Sequence, residues 1–162
     1  MVAISDEVAD AAVWSITKMM NRLDMRLIFC AMLPITSFFA GLFTLYFVRL
    51  AFRVIRLRRA NKVALGAGGF SDLEGAIRAH GNFAEYVPLG LILLGLFESH
   101  SVHPGWVVVL GGLLALGRVL HARALGDANL KLRVRGMMLT FGTLVTLAVL
   151  NIGFAARTWM AH

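Results

Sequence analysis

Glu74, Arg78, Asn82 and Glu85 follow one another at intervals of four, four and three residues. On a helix turning about 100° per residue they fall within an arc of roughly 80°. They form one stripe that carries both signs of charge and an amide. Such a stripe can hold a small polar molecule, because arginine grips carboxylates through forked, charge-assisted bonds and glutamate can hold an ammonium group. Further along, Arg118 and His121 stand three apart and share a helix face. His80 points to nearly the opposite side of its helix. The competing reading is a structural network, with Glu74 and Glu85 neutralising Arg78 and Arg118 and Asn82 tying helices together. So many polar groups at one depth favour a ligand site.

The elements that position these groups are apolar helices. The chain has 162 residues, 59% of them hydrophobic, and a mean hydropathy of +0.76. Residues 27–48 and 136–156 contain no Asp, Glu, Lys or Arg. Each reaches the roughly 20 residues needed to cross a hydrocarbon core about 30 Å thick. Two further apolar stretches lie between them and carry the ionisable groups. A charge inside a span costs roughly 2.5–3.5 kcal/mol, so such groups face protein or water and usually serve a function. The expected fold is an all-α, integral-membrane four-helix bundle over residues 25–162, with spans at about 26–52, 72–98, 102–124 and 133–157. Residues 1–24 read as an extra N-terminal, interfacial helix. Pro34 and Pro88 are expected to bend the first and second helices. Ser71 with Glu74 matches a capping box at the second helix. Gly111, Gly112 and Gly117 offer a neighbouring helix close approach.

The net charge of +7 is gathered in two places. Arg49, Arg53, Arg56, Arg58, Arg59 and Lys62 follow the first span, and Arg123, Lys131, Arg133 and Arg135 follow the third. With four spans these loops share one side, and basic flanks mark the cytoplasmic face. The distribution argues against nucleic acid and for contact with anionic membrane lipids. Acidic residues near the N-terminus do not suit a signal peptide, and the expected location is a bacterial inner membrane. Cys30 alone makes neither a disulfide nor a cysteine metal site, and no metal is expected. The glycines at 66, 68 and 69 lack the Gly-Lys-Ser/Thr ending of a phosphate-binding loop.

The run Arg78-Ala79-His80-x-Asn82-x-x-Glu85-Tyr86-x-Pro88 resembles the second-helix signature of the MAPEG family, the membrane-associated proteins in eicosanoid and glutathione metabolism. Gly117-Arg118-Val119-Leu120-His121 is similar to that family's third-helix motif. The arginine-rich end of the first helix and the four-span layout fit as well, over roughly residues 26–157.

The resemblance implies a homotrimer with glutathione bound between subunits near the cytoplasmic face. By position, Arg78, Asn82, Glu85 and Tyr86 would hold the tripeptide, with Arg118 and His121 on the third helix, Arg58 near its carboxylates and His80 close by. Arg133, with Arg135 beside it, matches the arginine that stabilises the thiolate in catalytic members. Glutathione is then a co-substrate, and the second substrate is a lipophilic electrophile arriving from the bilayer. Leu125 stands where several catalytic members have a tyrosine, and Gly81 replaces a bulkier residue. The implied activity is that of a glutathione transferase or peroxidase. The alternatives are a non-catalytic lipid-binding or partner-presenting scaffold and, from a different class, a small channel using the Arg78–Glu85 stripe.

Overall fold

A computed structural model describes residues 14, 15, 17, 18, 33–126 and 129–161. Its contacts divide the chain into two units, 1–34 and 35–162. In the first, Trp14, Ser15, Thr17 and Lys18 are helical, and Lys18 Nζ lies 4.3 Å from the centre of the Trp14 ring. The rest of the expected leading helix, Cys30 and the expected start of the first span lie outside the described residues.

Four helices follow: α1 (Pro34–Asn61), α2 (Ser71–Ser99), α3 (Pro104–Gly126) and α4 (Leu130–Met160). No strand occurs among the described residues. Helices α1, α3 and α4 are long and apolar enough to cross a membrane. The 29-residue α2 matches them in length, but Asp72, Glu74, Arg78, Glu85 and Glu98 make it less apolar. Outward-facing Leu45 and Phe52 on α1, Ile92 on α2, Val108 on α3 and Val145 and Ile152 on α4 leave an apolar surface that hydrocarbon can solvate. This is a membrane protein. Exposed Trp106 and Trp159 lie at the end of the bundle away from the basic loops, as interface anchors do.

Pro34 does not bend α1. It is the first residue of that helix, where a missing N–H costs nothing and a fixed φ suits the first turn. The next two amides are capped from afar: Ile35 N–H donates to Glu98 Oε1 at 3.0 Å and Thr36 N–H to Glu98 Oε2 at 2.8 Å. A carboxylate at the end of α2 therefore satisfies orphan donors and the positive end of the α1 dipole. The expected capping box at α2 does not form. Extended Phe70 takes the N-cap position with no side-chain bond, and Asp72 Oδ1 accepts from Leu73 N–H at 2.8 Å. Pro88 sits inside α2, which continues through it.

Helices α2, α3 and α4 approach one another backbone-close, whereas α1 is held through side chains. Phe43 meets Phe83 edge-on at 5.9 Å, and Phe39 packs over Gly111. The tightest approach is between α3 and α4, where two glycines face each other. A Cβ on Gly136 would stand 2.7 Å from His121 N, and one on Gly117 would stand 3.0 Å from Gly136 O. Gly112, by contrast, faces open space. Far from the basic loops, Asn151 Nδ2 donates to Leu93 O at 3.0 Å and ties α4 to α2.

Candidate functional site

The glycine contact between α3 and α4 brings Arg118 within reach of three helices. Arg118 is 2% exposed. Nη1 donates to Asn82 Oδ1 at 2.7 Å, Nε donates to Thr140 Oγ1 at 3.0 Å, and Nη2 reaches Met137 Sδ at 3.4 Å. The guanidinium carbon lies 5.2 Å from the centre of the Tyr86 ring. Among the described residues no carboxylate comes within ion-pair distance of it. The buried charge is therefore met by dipoles and a ring face, which reduce but do not abolish the cost of burial. This arrangement fixes Asn82 and Tyr86 from behind. The Asn82 amide nitrogen donates to no described residue, so it remains free to donate outward.

One to two turns toward the basic end, a polar cleft of about 550 Å³ is lined by Ser71, Glu74, Gly75, Arg78, Leu125 and Arg133. Pockets of about 300–1,000 Å³ suit small molecules. Local sequence explains its walls. A side chain at position 75 would strike Leu125 O at 2.7 Å, so Gly75 lets α2 close on the end of α3. Asn129 caps α4 by accepting from Leu132 N–H at 3.0 Å, which starts that helix at Leu130 and sets Arg133 on the cleft wall. Arg78 Nη2 lies 4.0 Å from Glu74 Oε1, with both side chains largely exposed. An exposed i,i+4 pair of this kind is worth little, so the arginine is available to an incoming anion. Two guanidiniums against one carboxylate leave the cleft net positive.

The structure thus brings Arg78 and Arg133 together, and groups Asn82 and Tyr86 around Arg118. Glu85 shares the stripe on α2; it is exposed and makes no ion pair among the described residues. Arg135 is exposed but does not line the cleft. Three candidates are placed elsewhere. His80 stacks on Phe47 of α1 at 4.4 Å, on the other side of α2. Arg58 Nη1 donates to Ala64 O at 3.1 Å and Gly66 O at 3.0 Å and so closes the α1–α2 loop. His121 is buried against α4, with neither ring nitrogen bonded among the described residues. Of the structural network that the sequence also allows, Glu74 pairs with Arg78 and Asn82 ties α2 to α3 through Arg118, whereas Glu85 neutralises no arginine among the described residues.

Thr140 and Met137 are not among the residues that spacing marks as a site. Their signal was weak: a threonine one turn beyond Gly136 in an otherwise apolar span. By sequence Ser71 reads only as a cap, and Leu125 only as a departure from the family pattern. Chemically, the cleft can bind a small anion through Arg78 and Arg133. Arg133, at its edge, can stabilise negative charge on a bound atom.

A model of the MAPEG family matches residues 36–153. The chain is 32% identical over 120 residues to inner membrane protein YecN of Escherichia coli (strain K12), an alignment covering 74% of this chain and 92% of the relative. The same protein from Escherichia coli O6:H1 (strain CFT073) matches to the same extent.

Proposed function

The chain belongs to the MAPEG family, and on that premise we propose that it is a glutathione-dependent transferase or peroxidase of an inner membrane, acting on lipophilic electrophiles. The observation that carries the reading is the cleft in which Arg78 and Arg133 converge beside Glu74. Glutathione presents two carboxylates, an ammonium and a thiol. Arg78 binds a carboxylate, Glu74 or Glu85 holds the ammonium, and Asn82 donates to the peptide. Arg118 acts through Asn82 and Tyr86, which it holds in place. Glu85 is exposed on the single subunit and faces a neighbour in the homotrimer, which completes the pocket from the other side.

Arg133 supplies the chemistry. A thiol is mostly protonated at neutral pH, and the thiolate is the nucleophile. A guanidinium nearby favours the anion and so lowers the thiol pKa. The bound thiolate then attacks an electrophile that enters from the acyl-chain region, while glutathione enters from water beside the basic loops. Those loops are cytoplasmic in this reading, because basic flanks face the cytoplasm.

Isothermal titration of glutathione into the detergent-solubilised protein tests the binding site. Arg78→Ala is expected to weaken binding roughly 10- to 150-fold, the worth of a hydrogen bond to a charged group. Glu85→Ala is expected to weaken it less. Unchanged affinity in both variants would remove the proposed ligand.

A second reading is a non-catalytic lipid-binding or partner-presenting scaffold. The observation in its favour is Leu125, which gives the cleft an apolar wall. Binding of glutathione without turnover of any electrophile would select it.

A further inference from the structure

A second, larger groove of about 820 Å³ lies between α1 and the end of α3, with Arg49, Arg53, Arg56 and Arg123 on its walls. It shares no residue with the Arg78–Arg133 cleft. Arg49, Arg53 and Arg56 sit at i, i+4 and i+7 and so project from one face of α1, where like charges one turn apart repel. Neither α1 nor α3 contains an Asp or Glu, and none of these arginines makes an ion pair among the described residues. Among the described residues the positive charge therefore has no counter-charge on either wall.

The groove is also graded along its length. Arg53 folds over the last residue of α3, where a Cβ on Gly126 would stand 2.8 Å from its Nη2. Arg49 lies 5.8 Å from the Tyr46 ring centre. Toward the bilayer interior from Arg49 the lining is Leu45 and Val48, 71% and 43% exposed, and Phe52, 66% exposed, continues their face of α1 between Arg49 and Arg53. Charge at the level of the head groups, continuous with an apolar strip running inward, matches an amphiphile rather than a free anion.

We propose that this groove binds the phosphate-bearing head group of an anionic phospholipid beside Phe52, with an acyl chain laid inward along Leu45 and Val48 of α1. Arg49, Arg53 and Arg123 hold the phosphate, and the arginine forks suit its oxygens. The lipid thereby bridges α1 to α3, across the gap that α1 otherwise spans only through side chains.

The test is native mass spectrometry of the full-length protein released from nanodiscs of mixed phosphatidylglycerol and phosphatidylcholine. The wild type is expected to retain phosphatidylglycerol over phosphatidylcholine by roughly tenfold or more, and millimolar inorganic phosphate is expected to leave that adduct in place. Each basic residue near an anionic surface is worth roughly fivefold, so Arg49→Gln, Arg53→Gln and Arg123→Gln together should cost on the order of a hundredfold and abolish the adduct. A charge-matched variant outside the groove, Arg59→Gln with Lys62→Gln and Lys131→Gln, should keep it. Equal retention of both lipids would overturn the proposal. So would equal loss in the two triple variants, or displacement of the lipid by inorganic phosphate.

Discussion

Gly136→Ala is the substitution whose consequence follows most directly from the geometry. The new Cβ would lie 2.7 Å from His121 N, 2.9 Å from Gly117 O and 3.0 Å from His121 Cα, whereas ordinary contact begins at 3.4 Å. All three neighbours are backbone, so no rotamer change relieves the overlap. α3 and α4 must separate by about 0.7 Å, which takes Arg118 Nε to about 3.7 Å from Thr140 Oγ1, beyond hydrogen-bond range. Overpacking costs about 1–3 kcal/mol. The lost bond from a charged donor costs about 1.5–3 kcal/mol. Replacing glycine in a helix returns about 1 kcal/mol. The net expectation is a loss of about 1.5–5 kcal/mol. Gly142→Ala on the same helix meets nothing within 4 Å and should gain up to about 1 kcal/mol. Unfolding of both variants in mixed micelles, titrated with a denaturing detergent, measures the difference. The Gly136 variant should also bind glutathione more weakly, because Arg118 no longer holds Asn82 in one position. If the two variants match each other in stability and in affinity, the glycine contact does not set the site.

Glu98→Gln removes the charge that caps α1 and should cost about 1–2 kcal/mol; faster hydrogen exchange at Ile35 and Thr36, with the core of α3 unaffected, is the expected signature. Arg133→Ala should lower turnover at least about tenfold, about 1.4 kcal/mol or more of charge stabilisation, while Arg135→Ala, whose side chain does not line the cleft, should leave it nearly unchanged. Steady-state conjugation of a lipophilic electrophile separates the two, and equal effects would place thiol activation elsewhere. Arg58→Ala should loosen the α1–α2 loop, seen as faster proteolysis after Asn61, with little change in glutathione affinity; a large affinity loss would return Arg58 to the ligand.

Length and apolarity marked the helices because a membrane span has few other solutions. Periodicity was enough to align Glu74, Arg78, Asn82 and Glu85, since residues three and four apart share a face whatever surrounds them. The same geometry turned His80 away, and the structure stacks it on Phe47. Contacts between distant parts of the chain were not legible. Glu98 caps a helix that starts more than sixty residues earlier, so Pro34 read as a bend rather than a beginning. Ser71 read as a cap because spacing alone does not show which residue leaves helical geometry, and Phe70 does so. Arg118 showed a face but not its partners, because Thr140 and Met137 belong to another helix and reach it only through the Gly117–Gly136 approach. The family resemblance puts Arg133 first with Arg135 close behind, but nothing in their spacing separates the two. Only the start of α4 at Leu130, fixed by Asn129, sets one of them on the cleft wall.

The central claim is that the Arg78–Arg133 cleft holds glutathione as its anion. Ultraviolet difference absorbance of the purified protein with saturating glutathione at neutral pH reads the thiolate directly. The account predicts a thiolate band in the wild type that Arg133→Ala abolishes while Arg135→Ala keeps it. A wild-type protein that binds glutathione with no thiolate band, or a band that survives Arg133→Ala, would contradict it.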